Sequence, residues 1–365
     1  MRLRGLVLST FTVRELEPGD RSAVIALLRS MWGGTREGLA TVDRLEEQWE
    51  WRFLRNPEGS SSVPRGFVLE RDEKIVGHVS CTPMRVKIRN SVVPAFSPGE
   101  WVTDPARGRG YGPLLMRRVM ALPGVGIAAP NEIAYPAMKR LGWSDVCRLE
   151  SWVRIVRADR LLLSGIRRRL RRAAAPARGL ETTGEPPRAR VRADDGIEIV
   201  PVERFDERFD DLWDRVAPEL GAAVVRDRRF LNWRYVDIPA RRYAIAAAER
   251  RGELQGYAVY YARRRDDVVF GHVIDVLVAG ADPSTRDALL AYAVGELKRS
   301  GVDVITSYTA PHDSFFRAGL RRVGFPLARR GPTVLAIDRV GGSPCAINPA
   351  EWFLTRGDSD LDMAT

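Results

Sequence analysis

Val102-Thr103-Asp104-Pro105-Ala106-Arg107-Gly108-Arg109-Gly110-Tyr111-Gly112-Pro113-Leu114-Leu115 is the stretch whose reading decides the fold. It reads as the end of a strand, a glycine-rich turn and the first turn of a helix. Glycine permits positive φ and lets backbone come close to a ligand. Amides left free at a helix N-terminus point at an anion, and the helix dipole is positive there. Arg107 and Arg109 add charge, and Pro113 suits a first helical turn. The chemistry implied is a cradle for a pyrophosphate. A dinucleotide fold needs Gly-x-Gly-x-x-Gly with an acidic residue about 20 residues on, which Gly108, Gly110 and Gly112 do not fit. The Gly-Lys-Ser/Thr of a Walker loop is missing as well.

The flanking sequence supplies the elements. Phe11–Leu16 reads as a strand. Asp20 is a candidate N-cap for a helix over Arg21–Trp32, with Val24, Ile25, Leu27, Leu28 and Met31 at helical spacing. Gly33-Gly34 ends it. Leu45–Leu54 reads as a second helix, closed by Asn56-Pro57. Gly66–Glu70 and Lys74–Ser80 form a hairpin signal around Arg71-Asp72-Glu73, and strand-like residues run from Met84 to Val93. Glu100-Trp101-Val102 leads into the cradle and a helix to about Leu122, and Gly126–Ala129 is the next strand. The order is β-α-α-β-β-β-α-β.

Arg107-x-x-Gly110-x-Gly112 resembles motif A of the GNAT acetyltransferases, which holds the diphosphate of acetyl-coenzyme A, and the element order matches that family. Asn131 to Trp143 resembles its motif B: Asn131, Ala134, Gly142 and Trp143 fall on register, and Arg140 stands where the family has Lys. The resemblance covers residues 11–155. It implies an α/β fold with a mixed sheet and acetyl-coenzyme A as co-substrate, held by Val102, Thr103, Arg107, Gly108, Arg109, Gly110, Tyr111, Gly112 and Asn131. The thioester carbonyl is expected on the backbone near Val102 and Thr103, whose amides polarise it as an oxyanion site does. The family's general-acid tyrosine falls on Met138, and a thioether cannot donate a proton. Tyr135, three residues earlier, is the candidate in its place; the alternatives are a water or no such acid in this half. Glu100 is the candidate general base. His78, Trp51 and Trp101 are candidates for the acceptor pocket.

Composition narrows the field. With 365 residues the chain has room for two or three domains. No segment reaches the ~18 apolar residues of a membrane span, and the N-terminal apolar run is too short for a signal peptide, so a cytoplasmic protein is expected. Cys81, Cys147 and Cys345, with His78, His272 and His312, are too scattered for a disulfide framework or a metal site. The net charge of +11 is local: Arg157 to Arg192 holds 11 Arg against three acids. Arg157–Arg172 reads as a basic amphipathic helix, a candidate for peripheral contact with the inner face of a membrane. The aromatic interleaving of single-strand binders is missing, so nucleic acid is not expected as a partner.

The second half repeats the first. Trp51-Arg52-Phe53, with Pro57 after it, is echoed by Trp233-Arg234-Tyr235, with Pro239 after it. Glu70-Arg71…Gly77 is echoed by Glu249-Arg250…Gly256, Ala129-Pro130-Asn131 by Ala310-Pro311-His312, and Leu141-Gly142-Trp143 by Val323-Gly324-Phe325. The offsets are 182, 179, 181 and 182 residues, too constant for chance. The expected domains are 1–156 with the coenzyme A loop, a linker 157–196, a degenerate tandem GNAT copy 197–340 and a tail 341–365. In the second copy Ala279–Asp287 replaces the cradle, without its glycines and with Asp282 and Asp287.

The expected function is acetyl-coenzyme A-dependent N-acetylation of a small-molecule amine. The Trp-Arg-Phe/Tyr element and the Pro130-Asn131-Glu132 turn resemble GNATs associated with bacterial surface-polysaccharide synthesis, which implies an amino sugar as acceptor. The alternatives are a FemABX-like aminoacyltransferase using aminoacyl-tRNA and a non-catalytic coenzyme A-binding or membrane-associated module. The sequence leaves the oligomeric state open.

Overall fold

The structure, a computed structural model, describes residues 11–32, 44–59, 63–161, 181–182, 190–239, 241–265, 267–339 and 347–358. Residues 162–172 of the Arg-rich helix, residues 183–189 of the linker and Gly33-Gly34 lie outside them. The chain forms two units that interleave in sequence, where the sequence reading expects contiguous domains. One comprises residues 1–84, 94–144 and 336–345, the other 85–93, 145–335 and 346–365.

In the first unit β1 (Phe11–Glu15) pairs antiparallel with β2 (Gly66–Arg71), and β2 with β3 (Lys74–Ile88). Between β1 and β2 run α1 (Arg21–Trp32) and α2 (Leu45–Trp49). Helical spacing puts Val24, Ile25 and Leu28 on one face, where they join Leu45, Trp49, Phe53 and Val68 in one buried cluster. Asp20 lies in a short 3-10 turn, where its carboxylate accepts from the Glu17 amide at 2.8 Å and from Arg14 at 2.7 Å.

The helix expected over 45–54 is α-helical only to Trp49 and continues as a π turn, Glu50–Leu54, with Arg55 donating to the Glu50 carbonyl. This wider turn buries Trp51 and Phe53 on either side of Arg52. The Met84–Val93 run is two strand ends and a turn at Arg89-Asn90, because β4 (Ser91–Thr103) starts beyond it. After β4 come α3 (Gly112–Met120), β5 (Gly124–Ala128) and α4 (Ala134–Leu141). The strand order is β1-β2-β3-β4-β5, with residues 336–339 at the end of β15 (Leu327–Arg339) beyond β5.

The second unit has the strand order β15-β6-β14-β13-β12-β11-β9-β8. Its strands besides β15 are β6 (Ser144–Ile155), β8 (Val191–Arg192), β9 (Ile197–Val202), β11 (Ala244–Arg250), β12 (Glu253–Arg265), β13 (Val268–Val278) and β14 (Val304–Thr309). The short β7 (Glu181–Thr182) lies beside β12, and β10 (Ala222–Val224) pairs with residues 86–88 of β3. The helices are α5 (Glu207–Val216), α6 (Arg228–Leu231), α7 (Pro283–Arg299) and α8 (Ser314–Arg322). A second π turn, Asn232–Val236, follows α6 as the first follows α2. Its core is built from β-branched and alanine positions of the central strands with Leu289, Leu290, Ala293, Val294 and Leu297 of α7.

One feature of each sheet positions the site. β4 and β5 are parallel neighbours for only two residue pairs, Ala95↔Val125 and Phe96↔Gly126, although β4 runs on to Thr103. β13 and β14 pair for three, Phe270↔Val304 to His272↔Thr306, and then part in the same way. In β4 the parting contains Glu100 in the left-handed region, φ 49°. A non-glycine residue there bends the strand and stores on the order of 1 kcal/mol or more of strain.

The base of the first gap is packed solid. A Cβ added at Gly126 would come within 2.7–2.8 Å of Phe96, Ile337 and Trp143. Gly126→Ala is therefore expected to destabilise the protein by about 1–3 kcal/mol through overpacking. Urea unfolding measures this; an unchanged midpoint would contradict the packing.

Candidate functional site: an anion cradle beside a clamped carboxylate

The cradle lies between the end of β4 and α3. Asp104 organises it. Its amide donates to the Val76 carbonyl at 2.8 Å, tying the strand end to β3. Its Oδ1 accepts from the amides of Ala106 and Arg107 at 2.8 and 2.9 Å, and its carbonyl accepts from Gly108. Those amides hold the Asp104 carboxyl below the usual carboxylate range. Tyr111 donates from its backbone to Gly108, and its ring stacks on Phe11 at 3.6 Å between centroids. Arg71 lies over Phe11 and donates to the Arg107 carbonyl at 3.1 Å.

This scaffolding leaves the amides of Arg109, Gly110 and Gly112 without a partner among the described residues. They line the turn that enters α3, where partial positive charge collects. Gly110 has φ +86°, and a Cβ at Gly108 would sit 2.6 Å from the Val76 carbonyl oxygen. Each glycine is thus required for a stated geometric reason. Arg107 and Arg109 are exposed and available to a phosphate. Three amides without a partner among the described residues and the exposed guanidinium groups of Arg107 and Arg109 fit a diphosphate.

The carboxylate of Glu100 lies on the same strand, before the cradle. Arg52, from the π turn, reaches its Oε1 at 2.7 Å, and His78 Nε2 lies 3.6 Å from its Oε2. Arg52 also donates to Ser80 Oγ at 3.4 Å. Burial pushes the Glu100 carboxyl up, but the Arg52 charge, helped by His78, outweighs it and holds the group at about 2. Attraction to a close guanidinium beats desolvation here, so Glu100 is a permanent carboxylate.

The other candidates are dispersed in role. Trp101 is half-buried and its Nε1 donates to the Gly112 carbonyl at 2.9 Å, so it braces the cradle from beneath. Trp51 is buried in the interior and cannot line an open pocket. His78 is fully buried, with neither ring nitrogen in a hydrogen bond; it acts on Glu100 and not directly on a ligand. Asn131 is exposed, and its Oδ1 caps α4 by accepting from Ile133 and Ala134 at 3.1 and 2.9 Å. Tyr135 is half-buried on the first turn of α4, whereas Met138 is buried. Val102 and Thr103 form the end of β4 beyond its last pair with β5. Arg52 and Ser80 were not read from the sequence as site residues. The signal was there for Arg52, which is central to the repeated Trp-Arg-Phe/Tyr element.

In the second unit Ala279–Ala281 forms a tight 3-10 turn instead of a cradle, and Asp282 caps α7. Its carboxylate accepts from the Ser284 amide, the Thr285 hydroxyl and Arg250. A fixed negative charge occupies the helix N-terminus that would otherwise attract an anion. Among the described residues no group of three or more His, Cys, Asp or Glu could hold a metal ion, and no helix is long and apolar enough to cross a membrane.

Residues 12–144 match the family model of the acetyltransferase (GNAT) domain. No curated protein matches the chain in sequence. Among solved structures, a GCN5-related N-acetyltransferase from Anabaena variabilis superposes with a TM-score of 0.59 at 13% identity, over 90% of this chain and 73% of that one. A conserved protein of unknown function from Enterococcus faecalis gives 0.58 at 15% identity, over 91% and 73%. N-myristoyltransferase of Saccharomyces cerevisiae, crystallised with myristoyl-CoA and inhibitors, gives 0.56 at 13% identity, over 97% and 87%. At these identities the likeness is one of fold: a mixed α/β GNAT fold. The 12–144 segment contains both the cradle and Glu100.

The clamped carboxylate has a pH signature. Its level in the folded protein is about 2, against an ordinary 4.5. The stability it contributes, on the order of 3 kcal/mol, is present above about 4.5 and is lost as pH falls toward 2. The stability difference between the native protein and Glu100→Gln, measured by urea unfolding, is expected to shrink over that window. An equal difference at both ends would contradict the clamp.

Proposed function

We propose that the protein is an acyl-coenzyme A-dependent N-acyltransferase, with acetyl as the acyl group and a small amine as acceptor. The observation that carries this reading is the pairing of three unpartnered cradle amides with a strand that parts from its neighbour beside a permanently ionised Glu100. The amides of Arg109, Gly110 and Gly112, with Arg107 and Arg109, would hold the diphosphate. The gap between β4 and β5 would take the pantetheine arm, whose amides need the backbone groups that parted strands leave unpaired. Val102 and Thr103 are the backbone positions proposed to polarise the thioester carbonyl.

Glu100 would serve the acceptor. A carboxylate held at about 2 is too weak a base to keep an ammonium proton. It attracts the ammonium and orients it, and the ammonium's proton leaves to water. Arg52 occupies Oε1, so Oε2 is the oxygen left for this role. The amine nitrogen then bonds to the carbonyl carbon, the carbon–sulfur bond breaks, and coenzyme A leaves as the thiol after protonation. Tyr135 is the proposed donor of that proton, since Met138 cannot give one.

Acetyl is favoured over a long acyl chain because Phe96, Ile337 and Trp143 already fill the base of the gap at Gly126. An amino sugar is the acceptor to test first. The second unit, which repeats the element order and the π turn, is read as a tandem copy of the same fold without a cradle.

Turnover tests the reading. Thiol release from acetyl-coenzyme A is expected to depend on added amine, and to fall steeply as the acyl chain lengthens from acetyl to octanoyl. Glu100→Gln is expected to lower kcat/KM by about 100-fold, and Tyr135→Phe to lower the rate without changing cofactor affinity. Amine-independent thiol release, or equal rates with long chains, would contradict it.

A further inference from the structure

The second unit has its own parted strands, and something fills them. Register makes the comparison concrete. Ala95 and Phe96 of β4 correspond to Phe270 and Gly271 of β13, each the first two residues of the parallel pairing. Glu100 stands four residues beyond Phe96, and Asp275 four residues beyond Gly271. Asp275 is buried at 2% exposure. It too is held by an arginine, though by Arg226 and not by the arginine of the π turn. Arg226 Nε lies 3.2 Å from its Oδ2, and the Tyr235 and Tyr257 hydroxyls donate to that oxygen at 3.1 Å. Tyr257 matches His78 by the 179-residue offset of the repeat, and Arg234 matches Arg52 by the 182-residue offset. The second unit has therefore kept an acid on the fourth strand, a partner on the third and an arginine on the π turn.

The C-terminal segment lies on this constellation. Trp352 forms a bridge with Ala222 and is buried, and Phe353 donates to the Ala222 carbonyl at 2.8 Å. Asp358 pairs with Arg226 at 2.6 Å, and Thr355 Oγ1 accepts from the same guanidinium at 3.2 Å. Arg234 donates to the Gly357 carbonyl at 3.2 Å. Arg356 enters where β13 and β14 part: it donates to Thr306 Oγ1 at 3.1 Å, lies 3.0 Å from His272 Nδ1 and stacks over Tyr308. Thr355, Arg356 and Asp358 are all at least nine-tenths buried.

We propose that residues 352–358 are a built-in ligand of the second unit, occupying a carboxylate-binding cleft that the duplication left without a cofactor. The charges support this assignment. Among the described residues, the buried guanidinium of Arg226 lies between Asp275 of the cleft and Asp358 of the segment. Buried charge needs compensation: the segment gives the carboxylate of Asp358 to Arg226 and the carbonyl of Gly357 to Arg234, and its own Arg356 lies over Tyr308 and donates to Thr306. At the parting, the Ser307 hydroxyl donates to the Val273 carbonyl, and Arg356 engages the side chains of Thr306, His272 and Tyr308. The second unit is then a permanently liganded module and not a second catalytic centre. The analogy with the first unit rests on the function proposed above; the occupancy itself does not, and is tested without coenzyme A.

Gly357 gives a clean lever. A Cβ there would lie 1.9 Å from the Tyr235 hydroxyl oxygen, so Gly357→Ala expels the segment without changing a charge. Hydrogen exchange on the full-length Gly357→Ala and Asp358→Asn proteins should accelerate roughly tenfold or more in 273–278 and 306–309. β2 and the first-unit part of β3 should be unaffected. If Gly357→Ala does not fold, Asp358→Asn decides alone. A free peptide with the sequence of residues 349–358, at the millimolar level of a tethered segment's effective concentration, should restore protection to whichever variant folds. Unchanged exchange in 273–278 and 306–309, acceleration spread evenly over both units, or no restoration by the peptide would each overturn the proposal.

Discussion

A pair of parallel strands that stops pairing after two or three residues is the constraint on which everything else depends. Backbone donors and acceptors left unpaired inside a protein are costly, so a parted pair must be answered by something. In the first unit the strand that departs ends in a loop whose own hydrogen bonds, centred on Asp104, leave three amides facing outward. In the second unit the Ser307 hydroxyl donates to the Val273 carbonyl at the equivalent parting, and Arg356 reaches the side chains of Thr306 and His272 beside it. The same parting is followed by a glycine-rich turn in the first unit and lies against residues 352–358 in the second.

The electrostatics follow the same division. Both units place a carboxylate at the same register of the departing strand and secure it with arginine. At Glu100 the guanidinium of Arg52 overcomes burial, and side-chain exposure of 12% leaves the group within reach of a ligand. At Asp275 two tyrosines and Arg226 enclose the carboxylate. An open, ionised carboxylate can attract an ammonium; an enclosed one anchors structure. The helix N-termini diverge in parallel. Glycine and free amides lead into α3, whereas Asp282 closes the start of α7 with a charge of its own.

Local chemistry was legible in the sequence wherever a residue type has one strong geometric use. Gly108 and Gly110 could be read because only glycine tolerates the close approach and the positive φ found there. Helical spacing located α1, and the repeated Trp-Arg-Phe/Tyr element showed that the two segments correspond, though not that each is a π turn. What could not be read depends on contacts distant in sequence. Arg52 meets Glu100 across 48 residues, and Arg226 meets Asp358 across 132. No periodicity announces such pairs. Trp51 shows the reverse case: an indole in an aromatic-rich segment suggests a pocket wall, but in the π turn Trp51 is buried in the interior. The placing of β6 among the strands of the second unit, paired with β14, is also a long-range outcome that local propensity does not encode.

The central claim is one acyl-coenzyme A site per chain, in the first unit. Calorimetric titration of the full-length protein with acetyl-coenzyme A tests it most directly. The account predicts a stoichiometry of one, and complete loss of binding in Gly110→Asp, whose carboxylate would face the diphosphate. Two sites, no binding to the native protein, or undiminished binding to Gly110→Asp would contradict it.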